Sequence, residues 1–306
     1  MPPRITLLDG GTGRELKRIG APFRQPEWSA LALIEAPALV KRVHESFISA
    51  GADVITTNSY AIVPFHIGAS RFADSGFALA SLAGRLGREA AQESDHSVRV
   101  AGSLPPICGS YRAEWFDADF ARPILSTLVD GLRPHVDHWQ AETLSAIEEA
   151  QLVREVIGED DKPLWLSFTL VDNETTKSPT PRLRSGQLVV DAVAAAVQLR
   201  AQAVLFNCSQ PEVMGVAVTV AHEWITKNQP SGRRSLAIGA YANAFAAVRK
   251  DAEANSELSE IRSDLTPTGY LGWVNDWIRR SAQIVGGCCG IGPEHIRAIS
   301  ESVRRT

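Results

Sequence analysis

The chain has 306 residues, of which 44% are hydrophobic and 22% are charged, and its formal net charge is −4. This composition excludes an intrinsically disordered chain, which has fewer apolar residues and a larger net charge. The weak negative charge gives no electrostatic reason to expect a nucleic-acid partner. No apolar run reaches the roughly 20 residues that are needed to cross a membrane.

The N-terminal residues and the cysteine content predict the compartment. Met1 is followed within a few residues by the apolar segment Ile5–Leu8, which leaves no room for a signal peptide. Four cysteines in a chain of this length are not typical of a secreted disulfide scaffold. We therefore expect a soluble, cytoplasmic, globular protein with no nucleic-acid or membrane partner.

Short apolar segments recur along the chain and are separated by longer amphipathic ones. Continuous apolar runs such as Leu164–Phe168 are typical of strands that are buried on both faces, as in a parallel sheet. The predicted strands are Thr6–Gly11, Asp53–Tyr60, Val98–Leu104, His138–Thr143, Leu164–Leu170, Ala203–Ser209, Leu236–Asn243 and Gln283–Gly290.

The segments between these strands have the apolar spacing of helices. Pro37–Ala50, for example, begins with proline in its first turn, ends before Gly51 and carries its apolar residues on one face. The other predicted helices are Ser75–Glu93, Asp119–Asp137, Leu144–Ile157, Gln187–Arg200, Glu212–Lys227, Gly269–Ser281 and Glu294–Arg304.

Eight strands, each followed by a helix, predict a (β/α)8 barrel formed by residues 1–306 as a single domain. The alternative is an open doubly wound sheet, which usually has a glycine-rich phosphate-binding turn after its first strand. The turn Asp9–Gly13 lacks that glycine spacing, which favours the barrel. Two long polar loops, Asp172–Gly186 and Asp251–Pro267, are then expected at the carboxyl ends of the strands, where barrel enzymes have their active sites.

Three cysteines are predicted to meet at this end of the barrel. Cys288 and Cys289 end the eighth strand between glycines, and Cys208 ends the sixth strand. Three thiolates around a tetrahedral zinc ion leave one position open, which is the arrangement of a catalytic site. The alternative is that these cysteines are ordinary buried residues that pack like small apolar side chains, which is our interpretation of Cys108.

Five segments resemble the motifs of the homocysteine S-methyltransferase family, and the resemblance extends over nearly the whole chain. These segments are Leu8–Leu16, Gly51–Tyr60, Ala141–Thr143, Asn207-Cys208 and Gly286–Gly290. The resemblance implies a zinc enzyme on a (β/α)8 barrel that methylates the sulfur of homocysteine to form methionine. It also implies that Cys208, Cys288 and Cys289 are the zinc ligands.

The same resemblance assigns substrate-binding roles to further residues. Glu142 and Asp9, with the backbone of Gly10, correspond to groups that bind the amino-acid end of homocysteine. Asn243 corresponds to an asparagine near the metal, and Asn58 has a similar but weaker correspondence. The alternatives are a carboxylate at a helix N-terminus for Glu142, a turn residue for Asp9 and a loop-capping amide for Asn243.

Aromatic residues are the candidates for binding the methyl donor, since aromatic faces can surround a cation without a counter-charge. Trp28 and Tyr60 correspond to aromatic positions of the family's donor site, and Trp115 is a further candidate, with ordinary packing as the alternative for each. The betaine-using branch of the family has an aromatic residue after the glutamate, where this chain has Thr143. This difference favours a sulfonium donor, S-methylmethionine or S-adenosylmethionine, over betaine.

Other functions stay open at the level of the sequence. An enzyme of the same family could methylate another small thiol or a selenol, and the segment before Cys208 lacks a glycine that the family usually has there. A protein that is not an enzyme could use the cysteines to store a metal or to sense oxidation. A phosphate-binding barrel that uses Gly286 and Gly287 is a further alternative.

Overall fold

The chain folds into a barrel of parallel strands surrounded by helices. The computed structural model describes residues 4–172, 180–229, 235–246 and 260–304. Within these residues the strands are β1 Thr6–Leu7, β2 Val54–Thr56, β3 Arg99–Leu104, β4 His138–Leu144, β5 Leu164–Phe168, β6 Ala203–Asn207, β7 Ala237–Tyr241 and β8 Ile284–Val285. From β2 to β8 each strand pairs in parallel with the next, β8 pairs with β1, and a single parallel bridge between Leu8 and Val54 joins the β1 and β2 ends. This topology confirms the predicted (β/α)8 barrel.

The ring closes between β1 and β2 through a few backbone contacts and two carboxylates. The Asp9 amide donates to the Val54 carbonyl (3.0 Å), and the Asp53 amide donates to the Leu7 carbonyl (2.7 Å). The Asp53 carboxylate accepts a hydrogen bond from the Leu7 amide (2.9 Å), and the Asp9 carboxylate accepts one from the Thr56 amide (2.7 Å). Each strand thus sends one aspartate side chain across the seam.

Helices connect the strands, and all eight predicted helices are present. The described helices are α1 Thr12–Arg18, α2 Ser29–Glu35, α3 Pro37–Ser49, α4 Pro64–Ile67, α5 Ala69–Gln92, α6 Ala118–Leu132, α7 Ile147–Ile157, α8 Val189–Gln198, α9 Pro211–Asn228, α10 Pro267–Arg279 and α11 Pro293–Arg304. The sequence interpretation missed the short helices α1, α2 and α4. A helix of only one or two turns is too short to show a clear apolar periodicity. No described helix is long and apolar enough to cross a membrane.

Six of the eight strands end earlier than predicted, whereas β3 ends at the predicted residue and β4 ends one residue later. The second strand was expected over Asp53–Tyr60 and ends at Thr56, and the eighth was expected over Gln283–Gly290 and ends at Val285. Beyond these points, several polar residues bond to side chains or to neighbouring loops instead of continuing the ladder. The candidate site residues therefore lie in or next to the loops that follow the strands.

Both faces of the strands are buried. Side chains such as Leu8, Val54, Trp165 and Leu205 form a cluster inside the ring, and the alternate residues of the same strands pack against the helices. All five residues of β5 are buried. This double burial explains the continuous apolar runs of the sequence.

The contacts between β1 and β2 predict that Asp53 contributes to the stability of the fold. Replacing Asp53 by alanine removes the acceptor of the Leu7 amide, and we expect the free energy of unfolding to fall by about 1–3 kcal/mol. The loss of the exposed ion pair between Asp53 and Arg4 should add little. Urea unfolding of the variant measures this difference. Asp95→Ala, at an exposed aspartate, is the matched control, and an equal loss in both variants would contradict the prediction.

Candidate metal centre

Three of the four cysteines meet at the carboxyl ends of the strands. Cys208 directly follows β6, while Cys288 and Cys289 lie in the loop after β8. Their sulfur atoms all lie within 4.8 Å of one another, and the Cys208 and Cys288 sulfurs are 2.9 Å apart. All four cysteines are free, and Cys108 lies outside the cluster, where its sulfur accepts a hydrogen bond from the Asp117 amide (3.4 Å).

The loop that carries Cys288 and Cys289 is fixed by close packing against two neighbouring loops. A Cβ atom on Gly287 would lie 2.2 Å from the Ile291 side chain, and one on Gly11 would lie 2.7 Å from the Cys288 carbonyl oxygen. The Cys288 amide donates to the Ala242 carbonyl (2.9 Å), and the Cys289 carbonyl accepts from the Ala244 amide (2.8 Å). The small residues therefore let the backbone approach closely enough to hold both cysteines against the barrel rim.

Tyr270 of α10 supports the same loop from behind. Its side chain is fully buried, and its hydroxyl accepts a hydrogen bond from the Ala242 amide (3.0 Å) and donates one to the Gly286 carbonyl (2.8 Å). One side chain thus joins the ends of β7 and β8. No sequence pattern indicates this role, because a tyrosine in an amphipathic helix is usually a packing residue.

A clamp between β4 and β6 positions both Glu142 and Cys208. The Asn207 side chain accepts a hydrogen bond from the Thr143 amide (3.0 Å) and donates one to the Thr143 hydroxyl (3.0 Å). Thr143 and Cys208 both have left-handed backbones, with φ of 62° and 50°. Because this conformation is rare for a β-branched residue, we infer that the two hydrogen bonds hold it in place.

Glu142 lies in a network of hydroxyl groups inside the barrel mouth. Its carboxylate accepts hydrogen bonds from the Ser103 hydroxyl (2.5 Å) and the Tyr241 hydroxyl (3.4 Å), and Gln140 donates to Tyr241 (3.1 Å). Burial raises the pKa of Glu142 to about 7 in spite of these hydrogen bonds. A positively charged partner would therefore stabilise the ionised carboxylate.

Asp9 is a second buried carboxyl group close enough to Glu142 to be repelled by its charge. Burial raises the pKa of Asp9 to about 8, and the charge of Glu142 adds to this effect, although hydrogen bonds from the Thr56 amide and hydroxyl oppose it. Asp9 is thus more than an ordinary turn residue, because it also closes the barrel seam. A nearby positive charge would stabilise the ionised form of both carboxyl groups.

The other predicted substrate-binding residues have local structural contacts. The Asn58 amide donates to the Ser29 carbonyl (3.0 Å), which ties the end of β2 to α2. The Asn243 side-chain oxygen accepts from the Phe245 amide (3.1 Å), as a loop-capping residue would. A Cβ atom on Gly10 would lie 2.2 Å from the Ile291 carbonyl oxygen, so only glycine fits there.

The aromatic candidates occupy different surroundings. Tyr60 is hydrogen-bonded to the Ser110 hydroxyl (2.6 Å). Burial raises the pKa of Tyr60 well above the usual range, and the nearby Cys208 and Glu142 add smaller effects in the same direction. Trp28 is half-buried, and its ring nitrogen has no hydrogen-bond partner among the described residues. Trp115 is 46% exposed and stacks against Arg112, which fits a residue of the rim.

Tyr111 is a site residue that the sequence interpretation did not find. Its hydroxyl donates a hydrogen bond to the Cys208 sulfur (3.2 Å), and the Arg184 guanidinium lies 4.9 Å from the centre of its ring. Arg184 in turn forms a buried ion pair with Asp172 (2.7 Å). No motif could reveal this contact, since Tyr111 belongs to a loop after β3 and Arg184 to a loop after β5.

The sulfur cluster fits a soft divalent metal ion. Zinc binds cysteine sulfur at about 2.3 Å, so three ligands at tetrahedral angles are about 3.8 Å apart. This spacing lies between the Cys208–Cys288 sulfur separation of 2.9 Å and the 4.8 Å within which all three sulfurs lie. Cys208, Cys288 and Cys289 could therefore hold such an ion and leave its fourth position open.

A parallel (β/α)8 barrel with three cysteines at its carboxyl rim defines a class of candidate metal-dependent enzymes, and comparison with known proteins identifies the family. The sequence model of the homocysteine S-methyltransferase family matches residues 6–303. The chain therefore belongs to the homocysteine S-methyltransferase family, which is a family of methyltransferases.

Two curated relatives match over nearly their full lengths. Homocysteine S-methyltransferase from Escherichia coli is 29% identical, with 96% of this chain and 94% of the relative aligned. Selenocysteine methyltransferase from Astragalus bisulcatus is 27% identical, with 97% of this chain and 91% of the relative aligned.

A solved structure gives the same picture of the fold. The metallated form of the homocysteine methyltransferase MmuM from Escherichia coli superposes with a TM-score of 0.77 at 25% identity, with 98% of this chain and 97% of that chain covered. That relative therefore shares the whole barrel and has a form that contains metal.

The cysteine cluster predicts a metal stoichiometry that can be measured. We expect about one zinc ion per chain after dialysis, and we expect Cys208→Ala or Cys288→Ala to lose most of it, because two thiolates hold the ion much more weakly than three. Cys108→Ala is the matched control and should keep the zinc of the unsubstituted protein. Elemental analysis of the purified proteins checks this, and full zinc content in Cys208→Ala would contradict it.

Proposed function

We propose that this protein transfers a methyl group from a sulfonium donor, S-methylmethionine or S-adenosylmethionine, to the sulfur of homocysteine, forming methionine. The observation that carries the proposal is the convergence of the Cys208, Cys288 and Cys289 sulfurs within 4.8 Å of one another. A zinc ion bound by these residues would make a thiol at its open position a thiolate at neutral pH, and only the thiolate is a good nucleophile.

The two buried carboxyl groups would bind the amino-acid end of homocysteine. Glu142 and Asp9 both have raised pKa values, of about 7 and about 8, because their charges are buried without a cation. The ammonium group of the substrate supplies that cation, so binding it stabilises both carboxylates. The clamp of Asn207 on Thr143 fixes Glu142 on one strand end and Cys208 on the other, which sets the distance between ammonium and sulfur.

The transfer step needs no general base. A lone pair of the homocysteine sulfur attacks the methyl carbon, the bond from this carbon to the sulfonium sulfur breaks, and its electron pair stays on the donor sulfur. The donor becomes a neutral thioether, and so does the acceptor. Tyr60 and Trp28 would place aromatic faces beside the donor cation, which binds there without a counter-ion.

The position after Glu142 supports a sulfonium donor over betaine. Thr143 occupies this position, and its hydroxyl and amide are both used by Asn207. Thr143 itself therefore offers no aromatic face to a trimethylammonium group.

A selenol acceptor is a second candidate, and a specific comparison favours it. The relative from Astragalus bisulcatus is named a selenocysteine methyltransferase and is 27% identical over almost the whole chain. A selenol is a softer nucleophile than a thiol and would use the same open metal position. Relative rates with homocysteine and selenocysteine distinguish the two acceptors.

The first functional test asks which methyl donor the protein uses and whether the reaction requires zinc. We expect methionine to form from homocysteine with S-methylmethionine or S-adenosylmethionine but not with betaine, as measured by chromatography. Removal of zinc by a chelator should abolish turnover, and added zinc should restore it, because the acceptor thiol then regains its nucleophilic form. Cys108→Ala should behave like the unsubstituted enzyme. Full turnover by the metal-free protein would refute the proposed role of zinc.

The role of Glu142 is tested with a pair of acceptors. With homocysteine, Glu142→Gln should lower kcat/KM by roughly 10–100-fold, because the ammonium loses a charged hydrogen-bond partner. With 4-mercaptobutanoate, which has the same thiol but no ammonium, the loss should be much smaller. Glu148→Gln, at an exposed glutamate in the first turn of α7, is the matched control.

The same acceptor pair gives a pH test. Since the pKa of Glu142 is about 7, the carboxylate becomes protonated as the pH falls below that value and loses its attraction for the ammonium. The ratio of kcat/KM for homocysteine to that for 4-mercaptobutanoate should therefore fall as the pH is lowered through about 7. An equal loss on both acceptors, or a ratio independent of pH, would argue against Glu142 as the ammonium partner.

A further inference from the structure

Tyr111, in the loop after β3, contacts the cysteine cluster, whose members follow β6 and β8. We propose that Tyr111 is a positioning residue that donates a hydrogen bond to the sulfur of Cys208 and so tunes the metal centre, and that Arg184 holds its ring in place. This inference rests on the proposed function, since it concerns the same three-cysteine site. It assigns a role to the loop after β5, for which the sequence offered none.

The contact is built from a constrained backbone. The Tyr111 hydroxyl lies 3.2 Å from the Cys208 sulfur, and Tyr111 itself has a left-handed backbone with φ of 68°. Such a conformation is unfavourable for a bulky side chain and persists only where its surroundings hold it. The preceding residue, Ser110, is fixed by its hydrogen bond to Tyr60 (2.6 Å). The hydrogen bond from Tyr111 to the sulfur is thus made from an energetically unfavourable backbone conformation.

Arg184 connects this tyrosine to the segment that follows Cys208. Its guanidinium lies over the Tyr111 ring and is ion-paired with Asp172, whose side chain is fully buried. The other carboxylate oxygen of Asp172 accepts a hydrogen bond from the Gln210 amide (3.1 Å), just after Cys208. The loop after β5 is therefore linked to Cys208 by two indirect routes. Arg184 lies over Tyr111, which bonds to the Cys208 sulfur, and Asp172 bonds to the backbone of Gln210, two residues after Cys208.

The chemistry of this contact follows from the charge of the ligand set. A donor hydrogen bond withdraws electron density from a thiolate and reduces the charge that it gives to the metal. Three thiolates around one divalent ion are electron-rich, so a single donor at Cys208 would adjust how nucleophilic the fourth ligand remains. Groups beyond the ligands commonly tune metal sites in this way.

Tyr111→Phe tests the proposal, because it removes the hydroxyl and keeps the ring for Arg184. The readout is the sulfur-to-metal charge-transfer band of the protein loaded with Co²⁺ in place of zinc. We expect this band to move to longer wavelength, since the Cys208 sulfur gives up its electrons more readily without the hydrogen bond. We also expect the zinc affinity, measured by competition with a chelator, to fall by about tenfold, since the hydroxyl helps to fix the sulfur.

Cys108→Ala is the control, because it changes a cysteine that lies outside the cluster and whose hydrogen-bond partner is Asp117. Its cobalt band and zinc affinity should equal those of the unsubstituted protein. Arg184→Gln keeps the Tyr111 hydroxyl but removes the cation over its ring, and it should shift the band in the same direction by a smaller amount.

The possible outcomes separate this inference from the proposed function. If the unsubstituted protein shows the sulfur-to-cobalt band and neither Tyr111→Phe nor Arg184→Gln shifts it, Tyr111 does not tune the metal centre. The three-cysteine centre itself would then still stand. The absence of any sulfur-to-cobalt band in the unsubstituted protein would overturn the centre itself.

Discussion

Closure of the strand ring is the constraint on which the whole site depends. Cys208 and Cys288 are 80 positions apart in sequence, yet their sulfurs are 2.9 Å apart, because neighbouring strands of a closed parallel barrel all end at one rim. The last contact of that ring is between β1 and β2, where the strands are short and Asp9 and Asp53 add side-chain hydrogen bonds. Asp9 therefore belongs both to the closure of the fold and to the candidate substrate site, so a change there would disturb both.

Once the ring is closed, the backbone at the strand ends decides where each side chain points. Thr143 and Cys208 have left-handed backbones that turn the chain sharply after β4 and β6, and Asn207 bonds to Thr143 across the two strands. Tyr111 makes a third such turn after β3. Non-glycine residues are seldom found in this conformation, and strained positions of this kind concentrate at functional sites. Here they lie within one connected set of hydrogen bonds around the sulfurs.

The sequence predicted the barrel and the cysteine cluster because both depend on strong local signals. Continuous apolar runs mark strands that are buried on both faces, and a pair of cysteines between glycines at a strand end is hard to explain as packing alone. It could not predict Tyr111, Tyr270 or Arg184 as site residues, because their partners come from other loops or helices. The sequence also predicts strands that continue past the observed ends of β2 and β8. The polar residues there bond to loops and side chains rather than to a neighbouring strand. The short helices α1, α2 and α4 were missed because their form is set by tertiary contacts.

The charge balance of the barrel mouth connects the fold to the proposed chemistry. Burial raises the pKa of Asp9 to about 8 and that of Glu142 to about 7, so the protein alone cannot keep both carboxyl groups ionised at neutral pH. Three cysteine thiolates would add further negative charge next to them. Positive charge would stabilise the ionised forms of these groups, and a divalent metal, a substrate ammonium or the proposed sulfonium donor could each supply it. In the proposed reaction the donor would become a neutral thioether, so its electrostatic attraction to the site would be lost before it leaves. The buried carboxyl groups and the cysteines would thus favour cationic reactants over the neutral thioether that the proposed donor becomes.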